Sequence, residues 1–225
     1  MPKNLTPYQK IKPLTTGPYT GIYLIRHCNP DYPQMSKVGD IAMPLSTIGI
    51  KQRRYLTNRL RKIKFTSIYT SEFRRAQETA DLIARQKKII PIVEKRLNEI
   101  NWTDWYKMKY FNMTERKRRI GLKYYKQLDK DLDKYQKRSR RVMTDIYKAN
   151  KGKNALVFCH GNVIRSLVTD ILNADVIGFL SIEIDQSSVT KLTIDKHGYV
   201  KINYINSITH LRDILDEDLF TMVLN

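Results

Sequence analysis

Two short apolar runs in this chain each end on a histidine. Residues 22–25, Ile-Tyr-Leu-Ile, pass into Arg26 and His27, and residues 155–159, Ala-Leu-Val-Phe-Cys, pass into His160. Apolar runs of this length suit strands buried on both faces, as in a parallel sheet covered by helices. Such sheets gather ligands beyond the carboxyl ends of their strands, so the two histidines can face one crevice. One histidine in that position is more simply a structural residue. Two of the chain's four, at matching strand ends, point to a site.

The rest of the chain fits the same architecture. A loop with Pro30, Pro33, Gly39 and Pro44 leads to residues 45–63, where Ser46 is a plausible N-cap. Ile48, Leu56, Leu60 and Ile63 fall there on one helical face. Residues 65–71 read as a strand, and 72–86 as a helix with Ala76, Ala80 and Ile83 inward. Residues 89–93 form a weaker strand candidate, because Pro91 favours a sheet edge. Residues 108–149 read as helical with a break expected at Gly121, and 162–172 as the helix after the second histidine. Residues 188–194, the turn Asp-Lys-His-Gly and residues 199–205 make a hairpin. Alternating strands and helices imply a layered α/β domain, and 225 residues suit a single one.

Composition adds a bias rather than a mechanism. The hydrophobic fraction of 41% allows an ordinary core, and no run approaches the roughly 18 apolar residues that span a bilayer. With no apolar stretch near the N-terminus and two cysteines, the chain reads as cytoplasmic with free thiols. Against 22 acidic residues stand 41 Lys and Arg, a net charge of +19. Such a field favours anionic partners. Between residues 106 and 151 there are 16 basic and 5 acidic residues, a net of +11. That segment mixes the cations with Tyr106, Tyr110, Phe111, Tyr124, Tyr125 and Tyr135. Amphipathic helices with inward aromatics account for most of it, and a few cations at the mouth of a site would attract a substrate with extra negative charge.

Five sequence elements, in order, resemble the histidine phosphatase (phosphoglycerate mutase-like) superfamily. They are the strand into Arg26-His27, the helix start "LSTIGIKQ" at 45–52, and "YTSEFRRAQETADLIA" with Arg75 before Ala76. The fourth is "RLNEI" with Glu99, and the fifth is "LVFCHGNVIRSLV" with His160. The resemblance implies a three-layer α/β/α sandwich on a mostly parallel sheet, in one domain spanning 1–225 with a basic helical insertion at about 106–151 near the active site. It implies that His27 is a phosphorylated nucleophile, that His160 stabilises the transferring phosphoryl group, and that Glu99 is the general acid and base. Arg26 and Arg75 would hold the phosphate; no cofactor and no metal are expected. The residue types suit that chemistry. A dianionic ester needs fixed cations around its oxygens, arginine donates in a fork where lysine cannot, and an imidazole can divide one displacement into two.

Some residues fall outside the pattern. Arg74 and Glu94 have no motif support and read as surface, His210 as structural, and His197 as an exposed turn residue. Cys28 replaces the family's glycine, which would strain the backbone if that position needs positive φ. Cys28 and Cys159 flank the two histidines, but their spacing fits no zinc pattern. Lowered thiol pKa values beside Arg26 and Arg75 would make a redox device, whereas Cys159 reads more simply as a small buried strand residue. The missing Ser-x-Trp-Asn segment of true mutases favours hydrolysis. The leading expectation is a metal-independent phosphomonoesterase acting on a phosphorylated small molecule or phosphoprotein. The alternatives are mutase-type phosphoryl transfer, or a basic anion-binding protein on an inactive scaffold; contact with nucleic acid or anionic membrane is not favoured.

Overall fold

The structure, a computed structural model, describes residues 17–101 and 115–211, and of 115–125 the backbone alone. A six-stranded mixed sheet runs in the order β3-β2-β4-β1-β5-β6. Its strands are β1 (Thr20–Arg26), β2 (Ser67–Thr70), β3 (Ile92–Val93), β4 (Asn154–Cys159), β5 (Val189–Ile194) and β6 (Val200–Ser207). The first four are parallel, and β5 and β6 form the antiparallel hairpin beside β1. The apolar runs are therefore central strands, as their two-sided burial requires. Pro91 confines β3 to two exposed residues at the edge.

Alternation along the strands divides the core into two layers. Ile22, Leu24, Ala155, Val157 and Cys159 face the layer containing Leu132, Val142, Ile164 and Leu167, carried by α4 (Glu115–Ala149) and α5 (Gly161–Leu172). Tyr23, Ile25, Leu156 and Phe158 face Leu56, Leu60, Ala80 and Ile83, carried by α2 (Thr47–Leu60) and α3 (Arg74–Lys87). This is the expected three-layer sandwich. Two further α-helices are described, α1 (Met35–Ala42), which buries no residue, and α6 (Val176–Ser181).

Gly121 does not break the long helix, which continues through it from Glu115 to Ala149. A single glycine costs about 1 kcal/mol in a helix interior, too little to end a 35-residue element whose later turns pack on α5. Tyr135 is partly buried against that core, as expected of an inward aromatic. Tyr106, Tyr110 and Phe111, and the side chains of Tyr124 and Tyr125, lie outside the described residues.

Register sets the site. Arg26 pairs with Cys159 across β1 and β4, so the next residues, His27 and His160, leave the sheet side by side. Thr70 pairs with Phe158 across β2 and β4, which brings Ser71 to the same level. A slip of one residue in either pairing would turn these side chains to the wrong layer.

Candidate active site

The backbone of His27 extends the sheet by one residue. Its N–H donates to Cys159 O at 3.0 Å, and its carbonyl accepts from Ser187 N at 3.1 Å. The loop behind it is clamped by the start of α2. Ser46 caps that helix by accepting from Gly49 N at 3.0 Å, and its hydroxyl donates to Asn29 Oδ1 at 2.6 Å. Gln52, buried one turn on, accepts from Asn29 N at 2.8 Å. Gly49 lets the two segments touch, since a Cβ there would stand 2.1 Å from Asn29 O. The Leu-Ser-x-x-Gly-x-x-Gln element therefore supports the loop after His27. Thr79 supports the same loop from α3, where its hydroxyl donates to Arg75 O at 2.6 Å and accepts from Cys28 N at 3.0 Å.

His27 is buried, and its Nδ1 lies 2.7 Å from the Cys28 carbonyl. A carbonyl can only accept, so Nδ1 carries the proton and Nε2 keeps its lone pair. Arg75 Nε donates toward that Nε2 at 3.3 Å. Burial, reinforced by the Arg26 and Arg75 charges, holds the His27 pKa well below the ordinary histidine range. The neutral form of the imidazole is thus favoured.

The two arginines are held from behind. Arg75 Nη1 donates to the carbonyl of Asp40 at 2.6 Å and to its carboxylate at 2.9 Å, and the guanidinium stacks 4.6 Å from the Phe73 ring centroid. Arg26 Nη1 donates to the Ile184 carbonyl, and its buried Nε has no partner among the described residues. Asp40 belongs to α1, and sequence reasoning missed it. Its only signal was a lone carboxylate in a loop of ordinary composition.

His160, fully buried, packs with ring centroids 5.1 Å from His27 and 4.9 Å from Phe73. Its Nε2 meets Ser71 Oγ at 2.8 Å. That oxygen also accepts from Phe73 N at 3.3 Å, which leaves it one lone pair and its own proton, so either ring tautomer satisfies the contact. Nδ1 is buried and has no hydrogen-bond partner among the described residues. Burial and the nearby cationic groups keep His160 neutral, its pKa well below the ordinary value. Two helix N-termini converge here as well. α3 follows Phe73 and α5 follows His160, and neither is capped by a side chain. Free N–H groups and the positive ends of both dipoles suit an anion.

Glu99 approaches from the loop after β3. Its carboxylate accepts from Ile100 N at 2.8 Å, and desolvation raises its pKa above the carboxylate range, outweighing that bond and the Arg26 and Arg75 charges. The loop is fixed by Asn98, whose side chain bridges Glu72 N at 2.9 Å and Glu72 Oε2 at 2.8 Å. Arg138 of α4 donates to the Asn98 carbonyl, and Asn162 Nδ2 donates to Ile100 O at 3.1 Å. All five sequence-derived residues thus belong to one constellation at the carboxyl ends of β1, β2 and β4.

The expectations about flanking residues resolve as follows. Cys28 is not among the residues of positive φ, so cysteine in place of glycine carries no backbone strain there. Both thiols are buried, and desolvation raises them, Cys28 to about 12. That burial works against the lowered thiol pKa values that a redox device would require. Among the described residues no three His, Cys, Asp or Glu side chains gather where they could hold a metal ion. Arg74 is exposed and pairs with Glu78. Glu94 pairs with Arg96, and His197 is exposed. His210 is structural, with Nε2 at 2.8 Å from Ser187 Oγ and Nδ1 at 3.2 Å from Arg59 Nη1.

A family model described as histidine phosphatase superfamily (branch 1) matches residues 22–207. A Bacillus subtilis protein named "Uncharacterized phosphatase PhoE" is 26% identical over 157 residues, covering 69% of this chain and 79% of its own. Among solved structures, Bacillus stearothermophilus YhfR superposes with a TM-score of 0.67 at 24% identity, over 85% of this chain and 99% of the other. A mutant phosphoserine phosphatase of Entamoeba histolytica, solved with phosphoserine, superposes at 0.66 with 21% identity over 85% and 99%. That phosphatase is also solved with 3-phosphoglyceric acid. Among the described residues no helix is long and apolar enough to cross a membrane.

Proposed function

The chain belongs to the histidine phosphatase superfamily, and from that premise we propose that it hydrolyses phosphate monoesters through a phosphohistidine on Nε2 of His27. The observation that carries the reading is the His27 imidazole itself. Its Nδ1 proton is committed to the Cys28 carbonyl, and its Nε2 lone pair faces the Arg75 guanidinium. A nucleophile with a fixed tautomer, kept neutral by burial and set against a cation, suits attack on a dianion.

In the first step Nε2 attacks phosphorus and the ester P–O bond breaks. Glu99, whose raised pKa retains its proton above the ordinary range, passes that proton to the departing alkoxide. Arg26, Arg75, His160 and the two helix N-termini hold the equatorial oxygens. In the second step the Glu99 carboxylate takes a proton from water as the water attacks phosphorus. The P–N bond breaks and its electron pair returns to Nε2. No step needs a metal. The substrate class is a small phosphomonoester such as the phosphoserine bound by the Entamoeba relative. The basic helix α4 lies beside the acid loop through Arg138.

Hydrolysis of p-nitrophenyl phosphate in EDTA, comparing wild type with His27→Ala, tests this. Loss of a covalent nucleophile is expected to lower turnover by several orders of magnitude. Activity that survives the substitution would overturn the assignment. Exchange between the two monophosphoglycerates without net hydrolysis would favour the mutase reading.

A further inference from the structure

At the far end of the sheet, about 17 Å along β4 from the histidines, lies a second concave surface that the chemistry above does not use. One cavity of about 670 Å³ opens between the loop after α2, the end of α3 and the loop before β4. Arg61, Lys62, Lys64, Lys87 and Lys153 line it, and among the described residues no acidic side chain does. A second cavity of about 380 Å³ shares Arg61 and Lys62 with the first and continues past Tyr55 and Asn58 to His210. Among the described residues, none of the five cations of the first cavity forms an ion pair with a carboxylate.

The walls are built rather than loose. Asn154 Nδ2 donates to Lys64 O at 2.6 Å, Thr66 N donates to Asn154 O at 3.0 Å, and Lys87 Nζ donates to Arg61 O at 3.2 Å. Gly21 N donates to Lys153 O at 3.1 Å, and Gly152 N to Thr20 Oγ1 at 2.9 Å. Both loops are tied to the ends of central strands, so the cations are presented at fixed roots.

We propose that this continuous basic groove binds single-stranded nucleic acid. The five cations would follow the phosphodiester backbone, and Tyr55, exposed in the second cavity with Asn58 beside it, would receive a base. The shape selects among polyanions. Cations spread over two joined cavities suit a chain of phosphates better than one compact phosphate. A concave groove meets a flat bilayer poorly. An exposed ring beside an amide offers a base both stacking and a hydrogen bond, which a polyphosphate or acidic peptide cannot use in the same way.

The test is fluorescence anisotropy of the full-length protein with a labelled single-stranded oligonucleotide, titrated at several salt concentrations. Five phosphate contacts give a slope of log K against log salt of about −3.5, or about 100-fold weaker binding between 50 and 200 mM salt. Lys62→Ala with Lys64→Ala is expected to reduce the slope to about −2. Tyr55→Ala is expected to weaken binding about tenfold with the slope unchanged, because stacking carries no counterion release. All three substitutions should leave hydrolysis of p-nitrophenyl phosphate at the wild-type rate. The proposal is overturned if the full chain does not bind, or if Lys126→Ala with Lys130→Ala on α4 reduces binding equally. It is also overturned if inorganic triphosphate competes as well as the oligonucleotide, or if only anionic vesicles bind.

Discussion

Replacing Arg75 by lysine keeps the charge at the centre of the site and removes only the shape that carries it. Arg75 is buried at the start of α3, with Nε 3.3 Å from His27 Nε2 and Nη1 bonded to Asp40 at 2.6 and 2.9 Å. A lysine ammonium is a point donor and cannot serve the histidine, the Asp40 anchor and a phosphoryl oxygen from one plane. One or two charge-assisted hydrogen bonds to the transferring group are lost, at about 1.5–3 kcal/mol each. A net loss of about 2–4 kcal/mol corresponds to kcat/KM about 30- to 900-fold lower. Loss of stacking on Phe73 costs about 1 kcal/mol of stability, a fall of about 2–4 °C in Tm for a chain of this size. Steady-state hydrolysis of p-nitrophenyl phosphate, with a melting curve on the same sample, reads both quantities. A kcat/KM within about threefold of wild type at comparable Tm would refute the role given to the guanidinium fork. An effect confined to KM would show that Arg75 binds the ester without favouring the transition state.

Glu99→Gln is expected to slow hydrolysis of an alkyl phosphate about 10²–10⁴-fold, and of p-nitrophenyl phosphate far less, since that leaving group departs without a proton. Wild-type activity should fall as pH rises through the elevated Glu99 pKa, a limb absent in the variant; equal losses on both esters would sink the general-acid role. Stability should decline below pH 6.5. His27 and His160 are held neutral, and His210 is lowered to about 3, so the unfolded chain takes up their protons first as pH falls. Each costs about 1.4 kcal/mol per pH unit, and Glu99, shifted upward, works in the opposite direction. Urea denaturation showing equal or greater stability at pH 5 than at pH 7 would contradict this. Gly49→Ala should destabilise the fold by about 1–3 kcal/mol and lower kcat, because the new methyl would drive α2 away from Asn29 behind the nucleophile. Unchanged chemical denaturation and kinetics would dismiss that clamp.

The parts of this architecture written in short-range pattern were legible. Apolar runs 22–25 and 155–159 announced central strands, Ser46 its cap, and Ala76, Ala80 and Ile83 the inward face of α3. His27 and His160 stood out as candidates because each follows such a run, whereas Arg26, Arg75 and Glu99 were singled out through the resemblance of their motifs. What the pattern could not supply was the contact made across it. Asp40 reaches Arg75 from α1, whose Met35, Val38 and Ile41 keep helical spacing but stay exposed, so that pattern does not tell where the helix docks. Ser71 becomes a partner of His160 only through the β2–β4 register. The purpose of Ser46, Gly49 and Gln52 is likewise a tertiary fact, since all three act on Asn29 and its loop. Gly121 misled because packing of the later turns outweighs a local propensity. Cys159 is the small buried strand residue that the sequence suggested, and burial, which the charges of neighbouring arginines do not offset, raises both thiols.

The central claim is that a phosphoryl group passes through one nitrogen of one imidazole. The most direct measurement is rapid quench of the wild-type enzyme during turnover, followed by peptide mass spectrometry under conditions that preserve phosphoramidates. The account predicts an acid-labile phosphoryl group on the peptide containing His27, at Nε2, formed at least as fast as steady-state turnover. It should be absent from His27→Ala. Phosphate on another residue, or full turnover with no phosphoenzyme and a direct attack of water on the ester, would contradict it.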